Sequence, residues 1–357
     1  MLDNTSTIAV PPGETIREQL EDRGMTQKEF AARMGMSEKH ISNLINGKAE
    51  LTHGAAMGLE SVLGVPARFW NNLEAIYREA LVREKQESEM DEDIVLSKKF
   101  PYLAASKEGW LPQVKGSSSK NAVEKVRNLR SFFEVSNLQL LCGGKLMIPG
   151  VSYRCLGHGA AVDYCLAVWS QRARLQARNI NTEKVNLHQL EAMIPEFRAM
   201  TMQAPDVFCR ELEKKCAACG VALVFLPHIG GSFLHGASFW DGNHIVLGLT
   251  VRGKDADKFW FSFFHEISHI LLAHINSSPE SVESQEADAN NLAKESLIPA
   301  DQFMRLKLLP QNEAAIRQFA NEINVHPGIV VGRMQHEHLI EFSWFNSLKV
   351  KYQLVAA

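Results

Sequence analysis

Phe261-Ser262-Phe263-Phe264-His265-Glu266-Ile267-Ser268-His269-Ile270-Leu271-Leu272 is an apolar stretch in which two histidines lie four residues apart. The apolar spacing predicts a helix, and neither glycine nor proline interrupts it. Residues four apart leave the same face of a helix, so both imidazoles can bind one metal ion. Glu266 follows the first histidine, where a carboxylate can accept a proton from a reacting water. The pattern His-Glu-x-x-His therefore predicts a zinc hydrolase site.

A catalytic zinc site needs a third protein ligand, and an acidic segment downstream of the helix offers one. Its candidates are Glu280, Glu283, Glu286 and Asp288. Glu286 is favoured because Asn290 follows it by four residues, which places both on one helical face. Asn290 can then accept the free ring N–H of a ligating histidine and fix its tautomer. Glu283 and Asp288 stay open as alternative ligands. The competing interpretation is a solvated acidic helix start, which the helix dipole stabilises and which accounts for Glu280 and Glu283.

The run from Phe259 to Pro299 resembles the ImmA/IrrE family of metallopeptidases. The resemblance rests on His-Glu-x-x-His, on Glu286-Ala-Asp-Ala-Asn290-x-Leu-Ala293 and on Leu297-Ile298-Pro299. It implies zinc as the cofactor, His265, His269 and Glu286 as its ligands, and Glu266 as the general base. Family members are mostly bacterial or phage proteins, often joined to repressor-type DNA-binding domains, and several cleave a repressor. They commonly carry glycine before the second histidine, where this chain has Ser268.

Composition limits the class of protein to which the chain can belong. The 357 residues are 45% hydrophobic and 22% charged, which is ordinary for a soluble protein of two or three domains. A formal net charge of −3 gives no global attraction to nucleic acid, so any DNA contact must come from a local surface. No signal-peptide pattern and no apolar run of membrane-spanning length occur, and we expect a cytoplasmic protein.

The first 85 residues predict a separate helical domain. A helix is expected over residues 14–22, and Thr26-Gln-Lys-Glu29 has the pattern of a capping box that opens a second helix ending at Met34. Gly35 makes the turn, and Ser37 caps a third helix over residues 38–46 that Gly47 ends. Two short helices joined by a glycine turn predict a helix-turn-helix.

This domain resembles the Xre (Cro/C1-type) helix-turn-helix, and more closely the version in HigA-type antitoxins. The resemblance covers Gly24–Gly35, Ser37–Lys48 and Leu63–Trp70. It implies Glu38, Lys39 and Asn43 as readers of base edges, with His40 or Ser42 as neighbours, and Gln27, Asn46 and Lys48 as phosphate contacts. These residue types can pair with cytosine, guanine and adenine edges. The implied partner is double-stranded operator DNA, although a protein-interaction module with the same hydrophobic pattern stays open.

Charge predicts a dimer for DNA binding. Residues 1–85 hold ten basic and twelve acidic side chains, so one copy would bind DNA weakly. A homodimer on a palindromic site would double the contacts.

Residues 86–205 predict a helical linker or coupling region without a catalytic pattern. A charged run, Arg83–Asp93, marks its start, and helices are expected over 94–106, 121–134, 158–178 and 187–200. A short extended piece is expected over 146–154, and Trp110, Phe132, Phe133 and Trp169 are expected in the core.

Residues 206–357 predict the metallopeptidase domain, a small sheet followed by the histidine helix. A helix over 206–218 precedes an apolar strand over 221–226, and Asp241-Gly-Asn243 predicts a hairpin turn between strands at 237–240 and 244–249. Residues 233–240 are the expected edge strand for an extended peptide. His235, Arg252 and Arg154 are weaker candidates for stabilising the transition state. Helices over 313–324 and 327–335 would close the domain. The predicted fold class is mostly α with a small sheet.

The six cysteines predict no disulfide framework in a chain of this length. Cys216-Ala-Ala-Cys219 has the spacing of half a zinc knuckle, but no second pair follows it. Buried reduced thiols are expected instead.

Three hypotheses for the function follow from these patterns. The main one is a DNA-binding transcriptional regulator whose zinc-dependent endopeptidase cleaves itself or a partner regulatory protein. The second is a HigA-like antitoxin and autorepressor in which zinc serves structure or sensing, which a fourth protein ligand such as His274 or His235 would favour. The third is an inactive peptidase fold that senses a ligand.

Overall fold

A computed structural model describes residues 10–116, 118–141, 163–229, 235–250, 255–276 and 282–352. The chain forms two compact units, Met1–Glu92 and Asp93–Ala357. The domain boundaries expected after residues 85 and 205 stay predictions. The extended piece expected over 146–154, with Arg154, and the candidates Arg252 and Glu280 lie outside the described residues.

The N-terminal unit is built from helices around one apolar core. Ile16, Phe30, Ile41, Leu59 and Trp70 are among its fully buried side chains. The helices are α1 Pro12–Asp22, α2 Gln27–Met34, α3 Glu38–Ile45, α4 His53–Leu63 and α5 Ala67–Ser97, and α5 continues past Glu92 into the second unit.

Local signals place α2 and α3 as predicted. Thr26 Oγ1 accepts a hydrogen bond from the Glu29 amide and Ser37 Oγ accepts one from the His40 amide, so each helix begins at a side-chain cap. Gly35 ends α2 with a φ of 64°, a left-handed conformation that favours glycine. The Glu29 carboxylate pairs with Arg33 within α2. The predicted helix-turn-helix is confirmed.

A series of helices comes before the sheet in the second unit. They are α6 Tyr102–Lys107, α7 Ser119–Phe133, α8 Asp163–Ala177, α9 Leu187–Ala192, α10 Ile194–Ala199 and α11 Pro205–Ala218. The helix expected over 94–106 is in fact the end of α5 followed by α6, because Pro101 lacks an amide donor and interrupts the hydrogen-bond ladder. The expected core residues Trp110, Phe132 and Trp169 are buried, whereas Phe133, expected with them, is half-buried.

A three-stranded sheet lies next to α8, α11 and the histidine helix. Its strands β1 Val221–Leu226, β2 Gly236–Asp241 and β3 His244–Thr250 are arranged in the order β1-β3-β2, with β1 parallel and β2 antiparallel to β3. Gly242 adopts a φ of 61° in the turn of the predicted hairpin, which is confirmed. Among the described strands, β2 lies at an edge.

The remaining helices complete the domain around the core. They are α12 Ala256–Leu271, α13 Val282–Leu297, α14 Ala300–Lys307, α15 Glu313–Glu322 and α16 Pro327–His336. Trp260, Phe263 and Phe264 of α12 are fully buried in this core. The fold is mostly helical with one small sheet, as the sequence predicts. No helix among the described residues is both long and apolar enough to span a membrane.

Replacing Gly248 by Ala tests the contact between α8 and the sheet. A Cβ at residue 248 would lie 2.4 Å from Cη2 of Trp169, a buried ring that cannot move freely. We expect the free energy of unfolding to fall by about 1–3 kcal/mol, as for other overpacked cores. Urea unfolding followed by circular dichroism measures the change. Gly54→Ala is the control, since the nearest atom to its new Cβ would lie 3.9 Å away. An equal effect of the two changes would contradict the packing argument.

Candidate metal centre

Two helices bring together two histidines and a carboxylate. His265 and His269 lie one turn apart on α12, and their Nε2 atoms are 3.1 Å apart. Glu286 extends from α13, with Oε2 3.2 Å from His265 Nε2 and Oε1 3.4 Å from His269 Nε2. The structure thus brings together the three residues that the sequence predicts as metal ligands.

The three side chains fit a tetrahedral zinc ion. One donor atom from each lies within 4.8 Å of the others. Zinc bonds of about 2.0–2.1 Å in tetrahedral geometry would separate the ligand atoms by roughly 3.3–3.4 Å, close to the spacings of the three atoms here. Among the described residues no other His, Cys, Asp or Glu joins this group. Glu283 and Asp288, the alternative ligands, are exposed on α13 and lie outside the group.

Small residues allow α13 to approach α12 closely enough for this geometry. Ala289 and Ala293 of α13 are fully buried, on the same part of the helix as Glu286. Ser268 stands where the ImmA/IrrE pattern commonly has glycine, and its buried hydroxyl donates to the Phe264 carbonyl. The hydroxyl is therefore satisfied within the helix and does not disturb the neighbouring histidine.

Each histidine has a second contact on the ring nitrogen that faces away from the cluster. His265 Nδ1 lies 3.1 Å from Asn290 Oδ1, which is the contact predicted from sequence spacing. His269 Nδ1 lies 3.1 Å from His274 Nδ1. Such contacts leave each Nε2 available to a metal and fix the orientation of the ring. His274 therefore lies behind His269, and the described structure does not offer it as a fourth ligand.

Glu266, which follows His265 on α12, contacts the edge strand β2. Its side chain is 2% exposed, and its Oε2 accepts a 2.9 Å hydrogen bond from Ser238 Oγ. A Cβ on Gly236 would lie 2.9 Å from Glu266 Cγ, so this glycine leaves room for the carboxylate. Neither Gly236 nor Ser238 was predicted as a site residue. The only signal in the sequence is that residues two apart on a strand share one face.

Comparisons with protein families match the N-terminal and C-terminal regions of the chain to two different families. Residues 16–70 match the family described as helix-turn-helix, and residues 218–334 match the family described as IrrE N-terminal-like domain, of the M78 peptidases. The chain belongs to the Xre-type helix-turn-helix regulators and carries an ImmA/IrrE-like domain.

Relatives of this regulator include antitoxins. It is 41% identical over 71 residues to "Antitoxin HigA-1" of Vibrio cholerae. The aligned segment covers 20% of this chain and 67% of the antitoxin. It is 36% identical over 63 residues to the uncharacterized HTH-type transcriptional regulator YddM of Escherichia coli, covering 18% of this chain and 67% of YddM. A solved structure of a putative antidote protein of a plasmid maintenance system from Nostoc punctiforme is 29% identical, covers 23% of this chain and 91% of that one, and has a TM-score of 0.23.

In the helix-turn-helix of this regulator, the residues implied as DNA contacts lie at the start of α2, on α3 and directly after α3. Glu38, Lys39 and the neighbour His40 are exposed at its N-terminal end, and Asn43 is half-buried one turn later. The implied phosphate contacts Gln27, Asn46 and Lys48 are exposed as well. Asn46 Nδ2 donates to the Ser42 carbonyl, so its amide nitrogen is engaged within the helix.

The other candidates of the sequence analysis do not join the metal cluster. His235 is exposed directly before β2 and is not one of the three grouped ligands. Cys216 and Cys219 are free and fully buried, and burial raises the pKa of both thiols. A thiol that resists deprotonation is a poor metal ligand and a poor nucleophile. Because both side chains are also fully buried, we assign the pair to the hydrophobic core.

Proposed function

We propose that this regulator binds operator DNA as a homodimer and carries a zinc-dependent endopeptidase that cleaves itself or a partner regulatory protein. The observation that supports the enzymatic half most directly is the convergence of His265, His269 and Glu286, with the buried Glu266 next to His265 in the sequence. Three protein ligands on a metal leave a position for a reactant, as in catalytic zinc sites. The experiment that tests it is the comparison of wild-type and Glu266→Gln protein for both cleavage and zinc content.

The residues around the cluster have separate tasks in this proposal. Zinc, when bound, would supply a Lewis acid that polarises the peptide carbonyl and favours deprotonation of a water. Glu266 would accept that proton and pass it to the leaving amine. Ser238 would keep the Glu266 carboxylate oriented through its 2.9 Å hydrogen bond. Asn290 and His274 would hold the imidazoles in place.

An extended peptide substrate would bind along the edge strand β2 in this proposal. It pairs with β3 on one side, and Ser238 in its middle touches the proposed base. A peptide added as a further strand on the other side of β2 would pass close to Glu266. Recognition through main-chain hydrogen bonds would suit a protein substrate and disfavour small amides.

Replacing Lys39 by Ala should weaken DNA binding without affecting the peptidase domain. Lys39 is exposed at the N-terminal end of α3, which is the part of a recognition helix that meets base edges. Loss of one base contact should reduce affinity for the operator by about 5–100-fold. Fluorescence anisotropy with DNA from the promoter of its own gene measures the affinity. Lys85→Ala, an exposed lysine on α5, is the matched control. Equal losses in both variants would argue against a specific role of Lys39.

The alternative function is that of an antitoxin and autorepressor with a structural or sensory zinc site. The likeness to antitoxin HigA-1 is the observation in its favour. This alternative predicts a stable complex with a toxin-like protein and zinc binding without cleavage. A regulator that cleaves its partner in a zinc-dependent manner would exclude it.

A further inference from the structure

A cavity of about 720 Å³ lies in the part of the second unit that precedes the sheet in the chain. Its walls come from the end of α5, from α6, from the segment after α6 and from the start of α7. The apolar part of the lining includes Ile94, Phe100, Leu103, Val114 and Ala122. Sites for small-molecule ligands usually have volumes of about 300–1,000 Å³. The cavity is therefore large enough for a ligand of the size of a nucleotide.

The charged residues of the lining are all basic. Four lysines line the cavity, and no described Asp or Glu lines it. None of the four ammonium groups forms an ion pair with a described carboxylate. Glu108 and Glu124 each follow or precede one of these lysines in the sequence, but neither lines the cavity. The cavity should therefore attract an anion. The four lysines are Lys98, Lys107, Lys115 and Lys125.

A second cavity of the same unit, lined in part by α12 and α13, shows the opposite arrangement. Its three lysines, Lys258, Lys294 and Lys349, each have the ammonium nitrogen within 3.3 Å of a carboxylate oxygen. Positive charge in that cavity is neutralised by the protein itself. Only the cavity between α5 and α7 presents several lysines without such partners among the described residues.

One of the four lysines is positioned by its neighbours. Lys125 is half-buried, and its ammonium lies 5.7 Å from the centre of the Tyr102 ring. Tyr102 is itself buried and held at its hydroxyl, which donates to the Pro112 carbonyl at 2.9 Å and accepts from Asn128 Nδ2 at 2.9 Å. A cation that is already held in place loses less conformational freedom when a ligand binds.

Other polar groups of the lining are engaged within the protein. Asn121 Nδ2 donates to the Lys115 carbonyl at 2.6 Å, and Ser118 Oγ accepts from the Asn121 amide. Ser106 Oγ donates to the Pro112 carbonyl. The lysine ammonium groups are therefore the charged donors left for a ligand. Each can donate up to three hydrogen bonds, and an ammonium binds phosphate as a point charge.

The shape and the apolar walls favour a small molecule over the DNA backbone. Proteins hold duplex DNA mainly through polar and charged contacts to its phosphates. Such contacts would leave the apolar walls of a concave site uncovered, whereas an aromatic or aliphatic group would cover them and gain from their burial.

We propose that this cavity binds a small molecule in which two or more phosphate groups are joined to an aromatic or apolar group, as in nucleotides and nucleotide coenzymes. The lysines bind the phosphates, and the apolar walls cover the organic part. No residue of the metal cluster lines the cavity, so ligand binding requires neither zinc nor peptidase activity. The regulator thus has a ligand site in addition to the proposed DNA-binding and peptidase sites.

Calorimetry with defined probes tests the site. The full chain is titrated with ATP, GTP and coenzyme A. Adenosine, guanosine and pantetheine serve as counterparts without phosphate, and inorganic tripolyphosphate serves as the counterpart without an organic group. We expect at least one of the three phosphorylated probes to bind roughly tenfold more tightly than its phosphate-free counterpart and than tripolyphosphate. Its affinity should fall as salt is raised, because the lysines are accessible to solvent.

Matched variants show whether the cavity is responsible. Lys125→Gln should weaken binding of the tightest probe by about fivefold, the effect of one solvent-accessible ion pair. The double change Lys98→Gln with Lys115→Gln should weaken it by roughly 25-fold if the two effects add. Lys120→Gln is the control, since Lys120 is exposed at the start of α7 and does not line the cavity. Circular dichroism melting identifies a variant that fails to fold, and the exposed Lys98 and Lys115 keep the test decisive if Lys125→Gln unfolds.

The possible outcomes either support or overturn the site. Tight binding that the cavity variants lose and Lys120→Gln keeps supports it. Dissociation constants above about 1 mM for all three phosphorylated probes overturn it. Equal losses in Lys120→Gln and the cavity variants overturn it as well, because they show general attraction to positive charge. If a short duplex of random sequence displaces the probe, and the cavity variants weaken duplex binding equally, the lysines contact DNA and the small-molecule site is overturned.

Discussion

Replacing Glu266 by Gln should abolish peptide cleavage while leaving about one zinc per chain. Gln has the same shape, so it can still accept the hydrogen bond from Ser238 Oγ and fill the space beside Gly236. It cannot accept a proton, and loss of general base catalysis reduces rates by about 10²–10⁴-fold. Cleavage of a partner protein, followed by mass spectrometry, measures the rate, and atomic absorption measures the metal.

A matched change elsewhere on the helix pair controls for this result. Glu283→Gln removes an exposed carboxylate at the start of α13 and should leave cleavage unchanged. DNA binding should be the same in all three proteins, because the change lies in the other compact unit. Proteolysis at the wild-type rate in Glu266→Gln would refute the mechanism, whatever the zinc content.

Replacing His265 or Glu286 by Ala should remove the metal itself. Each supplies one of three donor atoms within 4.8 Å of one another, and a site left with two ligands should lose zinc affinity by more than the 10–100-fold typical of changes in the residues behind the ligands. Asn290→Ala should show this smaller loss, because Asn290 contacts only the rear nitrogen of His265. Competition with a chromophoric chelator measures the affinity of each variant.

Asp288→Ala is the control for the loss of zinc. Asp288 is exposed two residues after Glu286 and lies outside the three grouped ligands, so its removal should not change affinity. Zinc retained by both His265→Ala and Glu286→Ala would show that metal binds elsewhere. Zinc lost from Asp288→Ala and kept by Glu286→Ala would assign the third ligand to the alternative that sequence spacing left open.

Patterns among neighbouring residues predicted the helices that hold the candidate DNA contacts and the two histidines. The caps at Thr26 and Ser37 and the turn at Gly35 involve residues at most three apart, so the helix-turn-helix could be predicted from neighbouring residues. His265 and His269 share a helical face for the same reason. The prediction was less accurate near Pro101. The apolar spacing indicated one helix over 94–106, but the proline divides this segment between the end of α5 and α6.

Contacts between distant residues could not be predicted in this way. Spacing along α13 favoured Glu286 but left Glu283 and Asp288 possible. The packing of α13 on α12 brings Glu286, alone among the described acidic residues of this segment, to the histidines. His274 was considered as a fourth ligand, but the turn after α12 places it behind His269.

The sequence by itself determined the two domain types, the helix with both histidines and the position of Glu266 next to the first of them, because each depends on residues within one or two helical turns. Only the tertiary structure decided that Glu286 joins the two histidines, that Ser238 donates a hydrogen bond to Glu266, and that His274 lies behind His269. These residues lie on separate elements, and the geometry of helix and sheet packing, rather than any local pattern, sets the distances between them.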